Sequence, residues 1–186
     1  MSIIEVLLAL LLIHVVCTSA ISFTRSVLGL LRLQEVKREA MQTNFLALDM
    51  LAREWRIAGY SAAGEPIDGV ANAAVQSVEL RADLDGDGTT AGLHERIAYR
   101  WDSGRSAVTR ATQNASPQPW LSNVPSDGFV LTYFDPTGTP VPSEGTSNSS
   151  IGFMRLQLTT EWAAQLPEPT LRGTVATCIA TARRNR

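Results

Sequence analysis

The chain has 186 residues, a formal net charge of −2 and 18% charged residues. That balance offers a nucleic acid no basic surface, and the charged fraction falls below the ~25% usual for soluble domains. Beyond an apolar N-terminal stretch, the length suits one domain of ordinary size.

From Met1 to Thr24 the only acid is Glu5, and there is no Lys or Arg; His14 and Cys17 are the other titratable side chains. About 20 apolar residues suffice to cross a bilayer as a helix. A carboxylate in such a helix costs ~2.5–3.5 kcal/mol on insertion scales and needs a partner. The segment offers no cation except an α-amino group, which points to the free N-terminus at Met1 of a neighbouring copy. The stretch lacks the basic region and small-residue cleavage site of a secretory signal. Met1 is then a translation start, or the first residue left after a basic leader is removed. Loss of a leader accounts for the missing positive charge on the cytoplasmic flank, since Arg25 and Arg32 follow the span and alone argue for the reverse orientation. His14 reads as a lone polar group tolerated between packed helices. Cys17 reads as a small buried hydrophobe, and with Cys178 in the domain no internal disulfide is expected.

No proline occurs from Ile3 to Ala58, and Gly29 is the one glycine. The pattern predicts one helix on the order of 85 Å long at 1.5 Å per residue. Residues 1–25 form its membrane or filament-core part, apolar all round. Residues 26–186 hold its amphipathic continuation and a β-rich domain. Met41, Phe45, Leu48, Ala52 and Trp55 follow helical spacing and predict the core face, and Gly59 supplies the stop.

After Tyr60 the helix period gives way to short alternating runs. Residues Val75–Ala82, Glu95–Trp101, Ala107–Thr112, Gly128–Phe134, Phe153–Thr160 and Arg172–Thr181 predict strands. Asp102-Ser103-Gly104-Arg105 is a turn that makes Glu95–Thr112 a hairpin. Asp135–Ser150 reads as a long, mobile polar loop. Short turns between strands imply an antiparallel sheet. The expected fold is therefore α+β, with the long helix packed on that sheet.

Asp83, Asp85 and Asp87, followed by Gly88, reproduce the first half of a calcium loop: oxygen donors at alternate positions, then a sharp turn. The twelfth position is His94, and Glu95 comes one residue late. An acidic turn between Leu80 and Arg96 is the plain alternative to a Ca²⁺ site. No enzyme constellation stands out: His14 and His94 are the only histidines, and no phosphate-binding glycine loop occurs. An enzyme would have to build a carboxylate pair from the Asp83–Asp87 cluster.

The opening MSIIEVLLALLL resembles the N-terminus of mature type IV pilins and type II secretion pseudopilins, which carry Glu at the fifth position. Met1 stands where they usually have a methylated Phe. Leu51-Ala52-Arg53-Glu54-Trp55-Arg56-Ile57-Ala58-Gly59-Tyr60 resembles the helix end of PilW-type minor pilins. The run Leu80–Gly88 with Arg96-Ile97-Ala98-Tyr99 is similar to that subfamily, as are Val108-Thr109-Arg110 and Trp120-Leu121-Ser122-Asn123-Val124. Ser22 stands where major pilins often carry a proline kink. The resemblance implies that Glu5 pairs with the amine of the adjacent subunit. It implies a non-enzymatic subunit that waits in the inner membrane with its domain in the periplasm, then enters a surface filament. Its partners would be other pilins, the assembly platform and a motor ATPase, and its role that of a minor pilin priming assembly at the tip. The alternatives are a J-type pseudopilin, a repeating filament subunit and a DNA-uptake pilus component.

Overall fold

The computed structural model describes residues 2–113, 115–143, 151–164 and 171–182, with side chains described up to Trp162. One helix, α1, runs from Ile3 to Ile57, roughly 80 Å at 1.5 Å per residue. Its start is a capping box: Ser2 Oγ accepts the Ile4 N–H, and Glu5 Oε2 accepts the Ser2 N–H at 2.9 Å. These contacts satisfy donors that a helix N-terminus leaves without partners. Its end is set by backbone crowding. Gly59 adopts φ +83°, and a Cβ on Gly69 would lie 2.4 Å from the Gly59 nitrogen. The chain therefore turns off the helix with two glycines back to back, and Gly59 N–H bonds Arg81 O at 2.8 Å.

Among the described residues nine strands follow: β1 (Val70–Ala74), β2 (Ser77–Arg81), β3 (Arg96–Asp102), β4 (Ala107–Thr112), β5 (Gln118–Ser122), β6 (Phe129–Phe134), β7 (Pro140–Val141), β8 (Phe153–Ala164) and β9 (Leu171–Ala182). They form two sheets. The first is a meander in the order β1-β2-β3-β4-β5, the second has the order β7-β6-β8-β9, and every pairing is antiparallel. The expected α+β fold is thus the observed one, with two sheets rather than one. The 95–112 hairpin forms with Asp102 opposite Ala107. Its turn is held by Asp102 Oδ1, which accepts the Gly104 N–H at 2.9 Å.

Three expectations need correction. The run predicted as one strand from Val75 opens with the β1–β2 turn, and Val70–Ala74 before it is a strand. The β5 strand was hidden by Pro119, which sits in a short, largely exposed strand at the sheet edge, where a missing N–H is tolerated. The loop from Asp135 does not begin as a mobile segment. Asp135 Oδ1 accepts the N–H groups of Thr137 and Thr139, both at 2.8 Å, and Pro140–Val141 pairs back onto β6. Its remainder, 144–150, lies outside the described residues.

The core lies where α1 meets both sheets. Leu48, Leu51 and Trp55 of the helix pack with Val78, Tyr99 and Val108 of one sheet and Phe129, Tyr133 and Leu156 of the other. In β8 burial alternates, with Met154, Leu156 and Leu158 inside and Arg155 and Gln157 outside, as a strand with one covered face requires. The helix face differs from the one expected. Asn44, Ala47, Leu48, Leu51, Ala52 and Trp55 are buried, whereas Met41 and Phe45 are 38% and 62% exposed. Asn44 takes the inward position because it has a partner there: its Nδ2 donates to Thr160 Oγ1 at 2.9 Å.

Candidate functional site

The apolar part of α1 stands clear of the domain. The helix contains an 18-residue window long and apolar enough to cross a membrane, with none of it buried. Ile3, Leu7, Leu11, Val15 and Phe23 are all exposed on the single chain. Glu5 sits in the first turn, where the helix dipole favours negative charge, and its described partner is the Ser2 N–H. Met1, whose amine is the expected partner, lies outside the described residues. His14 and Cys17 lie on the same bare helix; Cys17 is a free thiol, exposed on the single chain. Cys178 falls on β9, beyond the described side chains.

The acidic loop closes more tightly than its spacing suggested. Asp83, Asp85 and Asp87 each present a carboxylate oxygen, and these lie within 4.8 Å of one another. Asp83 is fully buried. Its Oδ1 accepts the Gly86 N–H at 2.7 Å, and its Oδ2 accepts from Ser61 Oγ at 3.0 Å and from the Ala63 N–H. Burial alone would raise the Asp83 pKa. The bonds from Gly86, Ser61 and Ala63 together outweigh it and hold the carboxyl below its ordinary value. Asp85 Oδ1 accepts the Asp87 N–H, and Asp87 Oδ1 accepts from Thr89. Among the described residues, the hydrogen bonds to Asp85 and Asp87 reach only their Oδ1 atoms. The donor set is hard oxygen, which suits Ca²⁺.

Glu95, one residue late by sequence, is brought into the loop. It is 2% exposed; Oε1 accepts the Leu84 N–H at 2.7 Å, and Oε2 accepts the Gly92 N–H at 2.6 Å. The extra residue is absorbed by His94, which takes φ +66° and turns the chain so that Glu95 reaches back. Gly92 is needed for this approach, because a Cβ there would lie 2.7 Å from the Glu95 carboxyl and 2.9 Å from Asp85 Oδ2. The spacing of the aspartates was legible in the sequence; the return of Glu95 was not.

A second cluster went unseen by spacing because its members are far apart in the chain. Glu54 of α1 accepts a 2.7 Å ion pair from Arg110 of β4 and a hydrogen bond from the Tyr99 hydroxyl of β3. Burial, then the Glu54 charge, pushes the Tyr99 phenol far above its ordinary value, so it remains a donor. Burial alone would lower Arg110, but the Glu54 bond and charge reverse that and raise it. The cluster clamps the helix to the first sheet. Removal of Glu54 would leave a half-buried guanidinium without its partner, the costly way to break such a pair.

Beside the clamp, a groove of about 400 Å³ runs between α1 and the ends of β5 and β8, lined among others by Glu39, Thr43, Trp120, Asn123, Glu161 and Trp162. No protein-family model matches the chain, and no curated protein or solved structure does either.

Proposed function

We propose that this protein is a membrane-anchored, pilin-like filament subunit. In this reading α1 holds the subunit in the inner membrane before assembly and in a filament core afterwards, with Glu5 answering the amine of the neighbouring subunit. The observation that supports it is the bare N-terminal half of α1: an apolar helix left uncovered among the described residues with one carboxylate in its first turn. Such a surface is stable in lipid or against other helices, not in water. Glu5 gains from a cationic partner in either setting, because an unpaired carboxylate away from water is costly. The subunit performs no chemistry of its own; a separate motor ATPase would drive assembly. Within this reading its role is that of a minor pilin that primes filaments at the tip.

Glu5→Ala tests the reading. The substitution makes membrane insertion easier and removes the partner of the amine. The variant should fractionate with membranes as the wild type does and be lost from sheared filaments. Normal incorporation into filaments would overturn the proposal.

A further inference from the structure

The groove between α1, β5 and β8 has a chemistry that the membrane anchor does not explain. Glu39 lines it from α1 and Glu161 from β8, so two of its walls carry one carboxylate each. Both glutamates are exposed, and neither has an ion pair among the described residues. No Lys, Arg or His is among the described lining residues. A cleft lined by one sign of charge concentrates ions of the other sign. The groove therefore selects cations and disfavours carboxylates, phosphates and sulfates.

The rest of the lining narrows the kind of cation. Trp120 of β5 and Trp162 of β8 are partly buried and both line the groove. Trp162 Nε1 is itself buried and meets no acceptor among the described residues, so Trp162 offers a ligand its ring rather than its N–H. Indole rings attract organic cations through their faces and pack against methylene stems. A bare metal ion takes oxygen donors and has no use for the rings. A neutral sugar leaves the two charges unanswered. A linear diamine answers both features: one ammonium for each carboxylate and a methylene chain for the rings. The walls are set in advance. Asn44 of α1 donates to Thr160 of β8 at 2.9 Å; both are buried and both line the groove, so they tie the two acid-bearing walls together. The Trp120 ring meets Tyr99 edge to face with 4.7 Å between centroids, and Glu54 fixes Tyr99 in turn. Little ordering is left for a ligand to impose. A volume of about 400 Å³ falls in the range of small-molecule sites.

We propose that this groove binds a linear aliphatic diamine or polyamine. One ammonium group meets Glu39, a second meets Glu161, and the methylenes lie against Trp120 and Trp162. The occupant is a free small molecule, and its binding needs neither a membrane nor a filament.

A titration of the full, isotope-labelled chain in detergent with diaminopentane, followed by its indole N–H magnetic-resonance signals, tests this. The Trp120 and Trp162 signals should shift and saturate, while that of Trp55, in the core, should stay in place. Aminopentane, with one ammonium, should bind at least about threefold more weakly. Pentanediol, with none, should leave the signals unmoved. Glu39→Gln and Glu161→Gln should each weaken diaminopentane at least about threefold. Glu65→Gln, which removes an exposed acid outside the groove, should not. Glutamine keeps the shape of each side chain, and unchanged melting confirms that the variants fold. Trp120 and Trp162 signals that do not move, or glutamine variants in the groove that bind like the wild type, would overturn the proposal. Pentanediol or aminopentane binding as tightly as the diamine would overturn it too, the former in favour of hydroxylated ligands such as sugars. An equal loss in Glu65→Gln would reduce the attraction to overall charge and overturn the site. Every chain tested keeps Glu5, so the outcome is separate from the fate of Glu5→Ala in filaments.

Discussion

Glu95 shows how a single residue can sit in the wrong place in sequence and the right place in space. A left-handed His94 returns its carboxylate to the loop that Asp83 begins. Three carboxylate oxygens within 4.8 Å repel one another unless water or a cation intervenes. Calcium at millimolar concentration should therefore raise the melting temperature of the domain, since a ligand that binds only the folded state stabilises it. Asp85→Ala should abolish the rise. A calorimetric scan without a calcium-dependent shift would leave the loop an acidic turn braced by its own backbone. Asp135 provides a second test at this scale, set by pH. The Thr137 hydroxyl, followed by the Thr139 N–H, holds its carboxyl below the ordinary value. A carboxylate with a lowered folded pKa contributes stability that is fully present above its unfolded value of about 3.9 and is lost as pH falls through the folded value. Wild type and Asp135→Ala should differ at pH 7 in urea unfolding and converge below about pH 3. A gap that persists at low pH would show that Asp135 acts through something other than its charge.

At the scale of the element, α1 is two helices in one. Among the described residues its N-terminal half is exposed on every side; its C-terminal half is selected by the sheets beneath it. The apolar periodicity allowed either Met41 and Phe45 or their neighbours to face inward. Asn44 decided the matter through its bond to Thr160 across 116 residues of chain, a partner that no local pattern reveals. The distinction is measurable. Leu48 is 2% exposed, and Leu48→Ala should cost about 2–5 kcal/mol of domain stability. Phe45→Ala, which removes a larger side chain, should cost less than about 0.5 kcal/mol in the isolated chain. Equal losses in denaturant unfolding would mean that Phe45 belongs to the core after all.

At the scale of the whole molecule, the core begins at Asn44 and the membrane-compatible surface ends well before it. The two halves of α1 meet different environments: among the described residues the first half is exposed and the second carries the core face. The role of the assembled subunit then shows in its copy number. If it primes assembly near one end, quantitative mass spectrometry of purified filaments should find on the order of one copy per thousand subunits or fewer. Deletion of its gene should lower the number of filaments more than it alters their structure. A ratio approaching one to one would make it the repeating subunit and overturn the priming role.

Local composition alone determined the long helix, its exposed apolar half, the lone Glu5, the acidic loop and most of the strands. Each depends on neighbours in sequence: on helical or alternating periodicity, on the absence of proline, on Asp at alternate positions before a glycine. Tertiary structure decided the rest. The division of the strands into two sheets, the inward turn of Asn44, the clamp of Glu54 on Tyr99 and Arg110, and the groove between Glu39 and Glu161 join residues far apart in the chain. Their energies come from burial and from pairing at contact distance, and contact between distant residues exists only once the chain has folded.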